Sequence, residues 1–234
     1  RRMRETGLEF DDLQKPIDNP ALRERLVKCW RTNGFNHALD PKIARDLMGP
    51  NYFGPSLVAK TFGVHYDEDQ LFRLMHGIQI TAEELELCDG DYMLFAGFPF
   101  SIKDLIERRP DLFDDSFKGF MDAGIIAAKV EARWYLLRKS IIPRSTAKDK
   151  VAQLGLLKED EVLPSVNELV YAMVLYYLVK VSYLFPNVYV RCLNSFTGFD
   201  RIKLGNFGSE KIDIGLVEDS AKMIEVGITS LRRI

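Results

Sequence analysis

Ser165-Val-Asn-Glu-Leu-Val-Tyr-Ala-Met-Val-Leu-Tyr-Tyr-Leu-Val-Lys-Val-Ser-Tyr-Leu184 is the stretch on which the fold turns. Ser165 followed three residues later by Glu168 is a capping box, in which each side chain takes up a backbone N–H left open at a helix start. Behind it, Val166, Leu169, Val170, Met173, Val174, Tyr177 and Val181 recur at helical spacing, which predicts one long helix to about Leu184. Pro186 ends it. The apolar run Leu169 to Val179 is too short for a bilayer, which takes about 20 residues, and Lys180 closes it. A helix apolar on so many sides is buried and needs a partner face.

The partner lies downstream. Val188 to Leu193 reads as a strand, Ile202 and Leu204 alternate in a second, and Ile212, Ile214 and Leu216 alternate in a third. Gly208-Ser209 reads as the hairpin turn between the second and third, and Val226 to Leu231 as a last strand. Upstream, residues 1–90 are a series of short, well-punctuated helices. Asn19-Pro20, Asp40-Pro41 and Gly54-Pro55 open three of them; Asn33-Gly34, Gly49 and Gly63 stop them. Asp67 with Gln70 and Thr81 with Glu84 are further capping boxes. Tyr92 to Phe98 is a short buried strand, Ser101 with Asp104 caps another helix, residues 111–124 are ambiguous, and Lys129 to Ile142 reads as a long strand. Residues 144–163 form a polar loop with room for one helical turn.

Helices first, then one long helix followed by consecutive strands, predict an α+β fold with a mostly antiparallel sheet packed on the long helix. The parts divide at residues 1–90 and 91–234, with no linker to keep them from sharing one core.

Composition narrows the function classes. The net charge of −2 lacks the basic excess of a dedicated nucleic-acid domain. Cys29, Cys88 and Cys192 are odd in number and far apart, which argues against a disulfide framework or zinc site and for a reducing, cytoplasmic setting. No signal-peptide pattern follows Arg1-Arg-Met-Arg4, although the sequence opens on a residue other than methionine. No cofactor, metal site or membrane contact is expected.

The strongest candidate site is basic. Arg133, Arg138, Lys139, Arg144, Lys148 and Lys150 stand with only Asp149 among them, interleaved with Ser140, Ser145 and Thr146. Guanidinium forks, ammonium groups and hydroxyls are the groups that hold phosphate oxygens. Arg138, Lys139, Arg144, Ser145, Thr146 and Lys148 are therefore the expected phosphate or nucleic-acid contacts. The glycines of a P-loop are missing, and a solvated edge balanced by Glu159-Asp160-Glu161 is the plainer expectation. Leu57 to Val64 followed by a helix from Asp67 has helix-turn-helix spacing. Asp67-Glu-Asp69 would repel phosphates, however, which makes it an αα-hairpin. His37, His65 and His76 lack metal-helix spacing. Glu83, Glu84, Glu86, Asp89 and Asp91 suit a helix start and could face the basic strand. No nucleophile motif is visible, so no catalytic set is assigned.

The string Trp134 to Lys148, with Pro164 to Tyr171, Leu184 to Arg191 and Phe199 to Gly208, resembles a group of bacterial proteins of unassigned function. The resemblance covers roughly residues 50–234. It implies a bacterial origin and no activity. The expected function is a non-catalytic binding or interaction module, for a protein partner, a second copy or a phosphate-bearing ligand. The alternative is an enzyme acting on a phosphorylated or nucleic-acid substrate.

Overall fold

The computed structural model describes residues 38–88, 90–121, 124–208 and 211–234. The helix expected after Asn19-Pro20, Cys29, His37, Asp89 and Ser209 of the expected hairpin turn lie outside them. The fold is α+β.

The short helices form where their caps place them. Asp40 accepts the Lys42 N–H at 2.7 Å and opens α1 (Pro41–Met48). Helix α2 (Pro55–Phe62) follows a two-residue strand β1 (Tyr52–Phe53) and stops at left-handed Gly63. Reciprocal capping boxes start α3 (Glu68–His76) at Asp67, α4 (Ala82–Glu86) at Thr81 and α5 (Ile102–Arg108) at Ser101. The ambiguous stretch resolves into two 3₁₀ turns, Pro110–Leu112 and Asp115–Phe120. A short α6 (Gly124–Ala127) follows, and the polar loop carries its one helical turn as α7 (Lys150–Leu154). The long helix is α8 (Val166–Lys180). It stops at Val181, which takes a left-handed conformation at φ 51°, and does not reach Leu184.

The strands divide between two four-stranded sheets. In the first, β1, β2 (Tyr92–Ala96), β3 (Trp134–Arg138) and β8 (Leu231–Arg233) lie in that order, antiparallel except for β1 with β2. In the second the order is β6 (Asp213–Glu218), β5 (Asp200–Gly205), β4 (Tyr189–Ser195) and β7 (Val226–Gly227), antiparallel except for β4 with β7. The last expected strand is therefore two strands in different sheets. Between them Thr229 Oγ1 donates to Arg138 O at 2.8 Å, which turns the chain from one sheet to the other.

The strand expected over Lys129 to Ile142 contracts to β3, because its flanks bond elsewhere. Val130 N–H goes to Phe100 O, Lys139 N–H to Asp91 O and Ile142 N–H to Ile228 O. With β2 on one side and β8 on the other, β3 is interior, and Trp134 to Leu137 are buried on both faces.

One buried cluster runs from Ala44 to Leu231. Helix α8 ties it together: Tyr171 OH donates to Ala96 O at 3.0 Å on the first sheet, and α8 also packs on β4 and β5 of the second. The described helices before residue 90 share this core: Ala44, Val58, Leu74 and Leu85 belong to it, and Trp134 Nε1 donates to Leu74 O at 2.6 Å.

A charge hub braces the second sheet. Asp219 accepts from Lys150 Nζ at 2.8 Å and Arg201 Nε at 3.2 Å. Burial alone would raise its carboxyl, but the bonds from Lys150 and Arg201 outweigh this and hold it below the usual carboxylate range. A carboxyl depressed in the folded state adds stability above its unfolded value of about 3.9 and loses it as pH falls through the folded value. Asp219→Asn is thus expected to melt below wild type at neutral pH, with the gap closing in strong acid. Thermal melts across that range check this; a constant gap contradicts it.

Candidate ligand-binding cleft

Just before β3, the segment Lys129-Val-Glu-Ala-Arg133 alternates its side chains. Val130 and Ala132 turn into the core, and Lys129, Glu131 and Arg133 face outward. Tyr135 fixes the turn by accepting the Glu131 N–H at 3.2 Å and donating to Glu131 O at 3.3 Å. Burial pushes its hydroxyl well above the ordinary tyrosine value, so it stays protonated.

The start of α8 faces this segment. Asn194 on β4 accepts the Val166 N–H at 2.8 Å, and Asn167 donates to Ala128 O at 2.6 Å. Arg233 on β8 grips Glu168 with a fork, Nε to Oε1 at 2.6 Å and Nη2 to Oε2 at 2.9 Å. Glu168 Oε2 also accepts the Ser165 N–H at 2.7 Å, so both carboxylate oxygens are engaged.

Two adjoining cavities open here, of about 370 and about 410 Å³, and both are lined by Glu131, Arg133 and Arg233. The first also takes in Lys129, Ser165, Asn167, Glu168 and Asn194. The second runs over Arg73, Gly77, Gln79 and Trp134. Arg133 meets Glu131 at 3.4 Å, with side chains 41% and 75% exposed, which is a loose pair of little energy. Lys129 has no ion pair among the described residues. Among the described residues the two cavities are thus lined by four cations, Arg73, Lys129, Arg133 and Arg233, against two carboxylates, Glu131 and Glu168, the second already committed to Arg233.

The residues expected to hold phosphate are dispersed. Arg138 pairs with Asp91 at 3.1 Å and lies over the Tyr92 ring, and Lys139 Nζ donates to Asn51 Oδ1 at 2.8 Å. Ser145 is fully buried, accepts the Ile228 N–H and sits on Gly227, where a Cβ would lie 2.8 Å from its Oγ. Its hydroxyl anchors the loop and does not reach solvent. Arg144 is exposed, Thr146 and Lys148 are half-buried, and none of the six lines the cavities described above. The acids expected to face the basic strand do so at Asp91, whereas Glu84 and Asp160 both pair with Arg232. Glu161, read as a surface acid, is buried and accepts from Tyr92 OH and Ser230 Oγ. Among the described residues no group of His, Cys, Asp and Glu is placed to hold a metal ion, and no helix is long and apolar enough to cross a membrane.

Of the cleft residues, Arg133 belonged to the basic stretch read from sequence. Lys129 and Glu131 carried a signal in their alternation with Val130 and Ala132. Arg233, Asn167 and Asn194 carried none, since each arrives from a different element. No protein-family model, curated protein or solved structure matches this chain.

Proposed function

We propose that the protein is a non-catalytic binding module whose ligand carries an anionic group held in the cleft by Arg133 and Lys129. The observation that supports this reading is the pair of adjoining cavities sharing Arg133, with the start of α8 aimed at the first of them. A helix start attracts negative charge, and a guanidinium loosely paired at 3.4 Å is free to exchange Glu131 for a ligand oxygen. Arg144 and Lys148 offer a second, more open contact for a phosphate backbone.

The alternative, an enzyme on a phosphorylated substrate, draws on Glu131, the carboxylate of the cleft that Arg233 does not hold. Glu168 is a poor base, because the guanidinium fork and the Ser165 N–H occupy its oxygens.

Calorimetric titration with inorganic pyrophosphate, and anisotropy titration with labelled oligonucleotides at two salt concentrations, test the proposal. Lys129→Gln with Arg133→Gln is expected to weaken pyrophosphate binding by about tenfold or more, the worth of one or two charge-assisted bonds. Loss instead in Arg144→Gln with Lys148→Gln, or no binding at low salt, counts against the cleft. Release of inorganic phosphate during the titration moves the reading to the enzyme.

A further inference from the structure

A third cavity, of about 560 Å³, lies apart from the cleft, between α1 and the start of α2. It is larger than either cleft cavity and falls in the range of small-molecule sites, about 300–1,000 Å³. Pro41, Pro55, Leu57, Met75 and the Tyr52 ring give it carbon walls. Its polar lining comes from Lys42, Arg45, Ser56 and the Tyr52 hydroxyl, with no acidic residue among the described lining residues. Lys42 and Arg45 are three apart on α1 and so share one face of the helix. Among the described residues Arg45 has a loose pair with its exposed neighbour Asp46 at 3.8 Å, which holds it weakly. Burial pushes the Tyr52 hydroxyl up to about 12 against the pull of Arg45, with a smaller push from the Asp40 carboxylate outside the described lining, so it is a neutral donor. Its ring is fixed from two sides. Trp134 lies 5.4 Å away, and a methyl on Gly54 would come within 2.5 Å of the ring. The α2 start that opens on the cavity is capped by no side chain.

Apolar walls with cations and donors at one end, and no carboxylate among the described lining residues, match one kind of ligand in both shape and charge. We infer that this cavity binds a small amphiphilic monoanion, a carboxylate with an apolar tail, with Lys42, Arg45 and the Tyr52 hydroxyl on its head group and Leu57 and Met75 on its tail. The site is independent of the cleft proposed above.

The test is calorimetric titration of the full chain with decanoate below its micelle concentration, with decyltrimethylammonium in parallel. Decanoate is expected to saturate one site, the cationic analogue to give none, and excess pyrophosphate to leave the decanoate isotherm unchanged. Lys42→Gln with Arg45→Gln should weaken decanoate binding about tenfold or more with no change in melting, since both side chains are exposed. A second variant, Met75→Trp at a half-exposed position, should block the tail and abolish binding. Equal binding of both amphiphiles, or decanoate binding untouched by either variant, would mean unspecific adsorption and overturn the inference. No saturable decanoate binding overturns it outright.

Discussion

Val174→Asp unfolds the protein at neutral pH. Val174 is fully buried at the middle of α8, with Tyr171 on the first sheet and β4 and β5 of the second sheet around the same helix. Among the described residues the ion pair on this helix is that of Glu168 with Arg233, at its start and away from Val174. An unpaired carboxylate there costs about 4 kcal/mol or more, against a domain stability of about 5–15 kcal/mol. Circular dichroism and soluble yield report the outcome. A variant that melts like wild type would mean that α8 is not the centre of the core.

Arg191→Met is the second large effect, and it acts through hydrogen bonds. Arg191 is fully buried on β4. Its Nε donates to Gln153 Oε1 at 2.7 Å, Nη1 to Glu218 O at 2.8 Å and Nη2 to Ala221 O at 3.2 Å. Gln153, also fully buried, passes the connection on to Ser145 O and Val226 O. Removing the guanidinium leaves three acceptors without donors and cuts β4 off from Gln153 and from the turn after β6. The expected loss is about 3–5 kcal/mol by chemical denaturation. Methionine fills the space, so packing alone would predict a small change. A loss below about 1 kcal/mol would mean the network adds little.

Arg191 also shows what a single sequence conceals. On a strand pattern it stood as one more charged residue between Val190 and Cys192, and nothing local marked it as buried. Its partners are 38, 27 and 30 residues away along the chain. Local features were legible for the opposite reason. The four capping boxes pair residues three apart, so Asp67, Thr81, Ser101 and Ser165 announce their helices wherever the rest of the chain goes. The apolarity of α8 on all sides likewise required layers around it, and two sheets supply them. The split into two sheets was not legible, because it depends on where Thr229 turns the chain and not on any strand's own pattern.

The candidate site divides along the same line. The stretch Arg133 to Lys150 was visible as a basic segment because its residues are contiguous. Contiguity did not bring them together: β3 runs through the interior, so Arg138 and Lys139 project toward Asp91 and Asn51, and Ser145 turns inward to Gly227. The cleft is assembled from the lead-in to β3, the start of α8, β4 and β8. Of the basic residues in the visible segment, Arg133 is the one that the described lining of the assembled site includes.

The measurement that bears most directly on the binding proposal is hydrogen exchange, read by mass spectrometry, on the whole chain with and without inorganic pyrophosphate. The cleft account predicts slower exchange in peptides covering 128–135 and 165–168, with 140–150 unchanged. Protection confined to 140–150 would place the anion on the loop of Arg144 and Lys148 and contradict it.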